Sequence, residues 1–135
     1  MPFRFLAHTA DVQVECRAAT FEDLLRTAAE ALYALTLNTP PVRADASRRV
    51  EITSASREDL LVRWLQELNF LLDTDHFAAV EVTFESAGPD GVRAQLRGAM
   101  CSADQRAEEV KSATYQELGI QETADGFIAR VILDL

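Results

Sequence analysis

The hydrophobic pattern changes period along the chain. Phe3–Ala7 is a short apolar run, and Val12-Gln13-Val14-Glu15-Cys16 then alternates apolar with polar, which predicts two strands around a polar turn, His8-Thr9-Ala10-Asp11. From Thr20 the spacing becomes helical: Phe21, Leu24, Leu25, Ala28, Leu32 and Leu35 share one face. Thr20, with Asp23 three residues on, is a capping-box-like start, and Asn38 with Pro40-Pro41 is the stop. A brief strand over Arg48–Thr53 follows. Ser56, with Asp59 three residues later, caps a second helix to about Leu72. Its Leu60, Leu61, Trp64, Leu65, Leu68, Leu71 and Leu72 form the most hydrophobic face in the chain and read as core. Arg57, Glu58, Arg63 and Glu67 read as a solvated face.

Beyond Asp73-Thr74-Asp75 the period returns to two. Ala78–Phe84 alternates through Val80, Val82 and Phe84. Gly88-Pro89-Asp90-Gly91 is a turn, and Val92, Ala94, Leu96 and Met100 complete a hairpin. Ser102–Glu109 is polar and reads as a loop, and Val110–Leu118 reads as extended. Asp125-Gly126 turns into a last strand, Phe127–Leu133, apolar on both faces except at Arg130, which argues for a central place in its sheet. This order lacks regular β-α alternation. It predicts an α+β fold with two amphipathic helices on one face of a mixed or antiparallel sheet. Length sets one domain over 1–135.

Composition then narrows the function. No stretch approaches the roughly 18 uninterrupted apolar residues of a membrane span, and no signal peptide opens the chain. Cys16 and Cys101 are too few and too far apart for a metal or disulfide framework, so a reducing cytoplasm is expected. A net charge of −9 argues against strong direct binding of nucleic acid, which a basic surface normally drives. A protein partner, a cation or a small ligand fits it better. Twelve of the 13 basic residues are arginine, which leaves Lys111 as the lone lysine.

Candidate chemistry gathers at the two ends. The closing Val131-Ile132-Leu133-Asp134-Leu135 is an apolar strand-like run with an acidic residue just before the terminal carboxylate. Asp11, Asp134 and the Leu135 carboxylate would form a cluster if the fold joins the ends. Such a cluster repels itself and calls for a counter-charge, which Lys111 supplies in part or a metal ion in full. Purely oxygen ligands select hard cations: Ca²⁺ first, with Mg²⁺ or Mn²⁺ as alternatives. His8 and Asp11 read as a base and its orienter, as two metal ligands, or as a turn in which Asp11 binds backbone amides. His76 near Asp73 and Asp75 reads as a solvated loop. No Gly-rich phosphate loop, G-x-S-x-G elbow or H-E-x-x-H motif is present.

Four segments, in order, resemble the archease family: His8-Thr9-Ala10-Asp11, Glu58–Leu68, Val110-Lys111-Ser112-Ala113-Thr114-Tyr115 and Val131–Leu135. The resemblance implies a two-layer α/β sandwich and a metal site made by Asp11, Asp134 and the Leu135 carboxylate, with His8 and Lys111 as neighbours. It implies a non-enzymatic activator of RtcB-type RNA ligases in tRNA splicing, promoting ligase guanylylation and repeated turnover. Gln116 stands where the family commonly has His, and Ser102–Arg106 lacks the family's usual His, so roles tied to those imidazoles do not carry over. Two other activities stand beside this one: modulation of another RNA-processing enzyme such as a tRNA methyltransferase, and a small metal-dependent hydrolase with His8 as base. A plain structural domain with acidic strand ends is a further reading.

Overall fold

The structure, a computed structural model, describes the backbone of residues 2–8 and 11–135, and side chains throughout these except at 7, 8 and 114–118. Chain order is β1 (Phe3–His8), β2 (Asp11–Ala18), α1 (Phe21–Thr36), β3 (Ala46–Thr53), α2 (Arg57–Asp75), β4 (Phe77–Gly88), β5 (Gly91–Met100), a single 3₁₀ turn (Ala103–Gln105), β6 (Ser112–Thr123) and β7 (Gly126–Asp134). The α+β class expected from the sequence is the one observed. Every strand pair is antiparallel, and the strands divide between two sheets, β1-β2-β7-β6 and β3-β5-β4. β7 is central in its sheet, as its two apolar faces suggest.

Both helices start where their capping residues stand. The Asp23 amide donates to Thr20 Oγ1 at 3.1 Å and the Asp59 amide to Ser56 Oγ at 3.0 Å, each satisfying one of the amides that a helix start leaves orphaned. The second helix outruns its apolar stripe by one polar turn, Asp73–Asp75, and stops at His76. There the left-handed backbone (φ 58°) lets the His76 amide bond back to the Leu71 carbonyl. Among the described residues, no helix is long and apolar enough to cross a membrane.

A continuous core joins both sheets and both helices. It includes Val12, Val14, Val131 and Leu133 from one sheet, Val50, Phe77, Val92 and Leu96 from the other, and the apolar faces of α1 and α2. Fully buried Trp64 donates its indole N–H to the Leu25 carbonyl at 2.9 Å, and its ring lies 5.7 Å from that of Phe84. One α2 side chain thus ties α1 to β4. The charged α2 residues do more than face water. Asp59 is buried and accepts from the Ala55 amide and from Arg63 Nε, both at 2.9 Å. The Arg57 guanidinium lies over the rings of Phe21 and Phe127, at 5.7 and 5.4 Å.

The hairpin β4–β5 departs from strict alternation. Register shifts occur between Ala79 and Glu81 and between Phe84 and Ser86. Each adds an unpaired residue and inverts the facing of the residues after it. Val80, which simple alternation assigns to the apolar face, is the unpaired residue of the first shift and is exposed; Met100, at the end of β5, is exposed too.

Candidate functional site

The ends of the chain meet. β2 and β7 pair antiparallel with Asp11 directly opposite Asp134, Val12 opposite Leu133 and Val14 opposite Val131. Val12, Val14, Val131 and Leu133 face the core, so the pleat turns the two aspartates to the other side of the sheet, away from the core. Residues directly opposite on adjacent strands hold their Cβ atoms about 5 Å apart, and like charges there repel. The Asp11 carboxyl is accordingly raised above its ordinary value of 3.8, first by its hydrogen bond with Asp134, then by desolvation and by the Asp134 charge.

The neighbours of Asp134 come from β6 and the segment leading into it. Ser112 is its register partner on the other side of β7, and the Lys111 backbone amide donates to the Asp134 carbonyl at 2.7 Å. Lys111 therefore touches the site through its main chain. Its side chain is exposed, and among the described residues no ion pair joins it to either aspartate. Leu135 follows Asp134 immediately and packs half-buried against the core, which sets its carboxylate one residue from the pair. The His8 side chain and residues Thr9 and Ala10 lie outside the described residues, so the base-and-orienter reading of His8 receives no geometry.

Two α2 residues that sequence reasoning did not single out hold this end of the sheet. Gln66 Nε2 donates to the Ala113 carbonyl at 3.1 Å, and buried Asn69 Nδ2 donates to the Val110 carbonyl at 2.7 Å. They clamp 110–113, the segment that bonds Asp134. Polar residues at positions 66 and 69 beside an otherwise leucine-rich stripe were the available signal.

Asp11 and Asp134 set two carboxylates opposite each other in register across β2 and β7, and oxygen donors of this kind are hard ligands. Among the described residues, no group of three or more His, Cys, Asp or Glu side chains gathers as a metal cluster, at the aspartate pair or elsewhere. Asp73 pairs with Arg106 at 2.7 Å and Asp75 with Arg48 at 3.5 Å, so His76 and its neighbours serve structure. Both cysteines are buried, and burial pushes the Cys16 thiol up to about 12 and the Cys101 thiol upward. Neither is an activated nucleophile.

A small antiparallel α+β domain with paired acidic residues where its second and last strands meet defines the class. The chain belongs to the archease family: residues 3–135 match the model of the Archease protein family. It is 35% identical to "Protein archease" of Archaeoglobus fulgidus, over the whole of both chains. It is 36% identical to "Protein archease" of Methanothermobacter thermautotrophicus, over 98% of each. The solution structure of a Methanobacterium thermoautotrophicum protein is similar over 99% of both chains, with TM-score 0.75 and 32% identity. A Thermotoga maritima crystal structure, described as an archease and possible chaperone, shares the fold with TM-score 0.69 and 20% identity, over 96% of this chain and 94% of that one.

Proposed function

We propose that this protein is a non-enzymatic activator of an RtcB-type RNA ligase, working through protein–protein contact and a bound divalent cation. The observation that carries the reading is the register pairing of Asp11 with Asp134 and the shared hydrogen bond that raises the Asp11 carboxyl. Asp11, Asp134 and the Leu135 carboxylate would hold the cation, Ca²⁺ before Mg²⁺ or Mn²⁺. The cation would supply positive charge that offsets the repulsion between the paired carboxylates and fixes both strand ends. Asn69, Gln66 and the Lys111 amide position the segment alongside, and none of them is assigned a catalytic role. The net charge of −9 favours a partner with a basic, RNA-holding surface, through electrostatic steering. Family membership supports the reading by placing the chain among archeases.

The test compares wild type with Asp11→Ala and with a chain extended by a few residues after Leu135, each shown to be folded by circular dichroism. Both changes should weaken Ca²⁺ binding by calorimetry and reduce multiple-turnover ligation by a partner ligase. Loss of one carboxylate from an oxygen-ligand site should cost about tenfold or more in affinity. Full activation by both variants would refute the cluster as the working site.

A further inference from the structure

Away from the aspartate pair, the outer face of the four-stranded sheet carries a second charged constellation. Glu15 on β2 is only 2% exposed, and three guanidinium groups converge on it: Arg4 on β1 at 3.0 Å, Arg17 on β2 itself at 3.5 Å and Arg130 on β7 at 3.0 Å. Among the described residues, three positive charges against one negative leave a surplus of two, on a chain whose net charge is −9. One guanidinium would balance Glu15. Each guanidinium carries five N–H donors, and a single carboxylate with about four acceptor positions cannot occupy them all. The arginine side chains remain 59–64% exposed, so the remaining donors face outward.

Beside them the sheet surface is hollow. Glu15, Arg17, Gly119, Gln121, Ile128 and Arg130 line a depression of about 380 Å³. Gly119 is the β6 partner of Arg130, and a Cβ placed there would meet nothing within 4 Å. The glycine thus leaves a floor without a side chain, between two arginine forks and the Gln121 amide. We propose that this hollow binds a compact, multiply charged oxyanion of the phosphate class, a phosphomonoester or pyrophosphate group, held by Arg17 and Arg130. Guanidinium forks match phosphate oxygens two at a time, with charge-assisted hydrogen bonds stronger than neutral ones. The acidic chain disfavours an extended polyanion. Asp11 and Asp134 lie four residues along the same strands, about 13 Å away on the same face. A long phosphate backbone would run into them, whereas a compact group meets only the arginine end.

The experiment titrates the whole protein with sodium pyrophosphate at low ionic strength, following amide chemical shifts, with sodium chloride at matched ionic strength as control. Saturable shifts should centre on Gly119, Gln121, Ile128 and Arg130. Arg17→Gln should weaken binding about tenfold, as expected for one charge-assisted contact. Arg17 makes the longest of the three contacts with Glu15, so this variant should remain folded. Glu15→Gln should tighten binding, a gain that a purely structural cluster would not produce. Asp11→Ala should leave the affinity unchanged, which separates this site from the cation site. No saturable shift beyond the chloride control would overturn the proposal. So would binding of a short oligoribonucleotide without binding of pyrophosphate, or pyrophosphate affinity unaltered in both Arg17→Gln and Glu15→Gln.

Discussion

Glu15 shows how one residue makes stability depend on pH. Its carboxyl sits below the ordinary value of 4.5, first through the hydrogen bond from Arg4 and then, against the opposing pull of burial, through that from Arg130. A group whose folded value is depressed favours the folded state in its ionised form. Its contribution is complete above the unfolded value of 4.5 and is lost as pH falls through the lower folded value. Urea midpoints measured from pH about 6 down to about 3 should therefore fall more steeply in wild type than in Glu15→Gln. Glu85, also held low by Arg49, is common to both proteins, so the difference isolates Glu15. Equal slopes would mean that the arginines do not hold the Glu15 carboxylate in solution. The same residue was visible in the sequence only as the polar partner in an alternating strand. Period-two spacing puts only Arg17 beside it; Arg4 and Arg130 come from β1 and β7, and no spacing along the chain could have gathered those.

Among elements, the β4–β5 hairpin is where local pattern and structure part. Gly98 pairs with Ala79 just before the first register shift, and a Cβ there would fall 1.9 Å from the Ala78 carbonyl oxygen. Its backbone is not left-handed, so the requirement is for closeness of two main chains, not for an unusual dihedral angle. Gly98→Ala should destabilise the protein by about 1–3 kcal/mol in urea denaturation, as overpacking does. Gly88→Ala, where the added methyl meets nothing within 4 Å, should stay within about 0.5 kcal/mol of wild type. If the two variants are equally stable, the close approach at Gly98 is not real. The bulge at Val80 explains why alternation misplaced that residue: a period-two reading has no means of counting an extra residue. The helix starts were legible because capping is local, with Thr20 and Ser56 each three residues before their aspartates. The central place of β7 was legible from its two apolar faces. The division of strands between two sheets was not, because the pairing partners are set by contacts across the whole chain. An Asp11–Asp134 cluster was an expectation drawn from the acidic last strand and the family resemblance; that the ends meet, and in which register, came only with the fold.

The whole molecule has two sheets yet a continuous core, and this sets how it should unfold. Neither sheet has a buried face of its own: β2 and β7 cover α1, β4 packs on both helices, and α2 reaches β3, β5 and β6. Melting the three-stranded sheet alone would expose Trp64, Phe77 and Leu96 together, all of them fully buried. Hydrophobic transfer of about 1.5–3 kcal/mol for each large side chain makes such an open state costly beside a total stability of about 5–15 kcal/mol. The chain carries one tryptophan, and it sits where α1, α2 and β4 meet. Its fluorescence therefore reports on that junction, while far-UV circular dichroism reports on all the helices and strands. Urea transitions followed by the two signals should coincide in midpoint and slope, as a single cooperative unit requires. A fluorescence change completed before the loss of dichroism would show that β3-β5-β4 detaches first. The aspartate pair would then rest on a separable four-stranded unit, and a cation bound there would stabilise only the later transition. Coincident curves that shift together on adding Ca²⁺ would instead tie the proposed site at β2 and β7 to the stability of the entire fold.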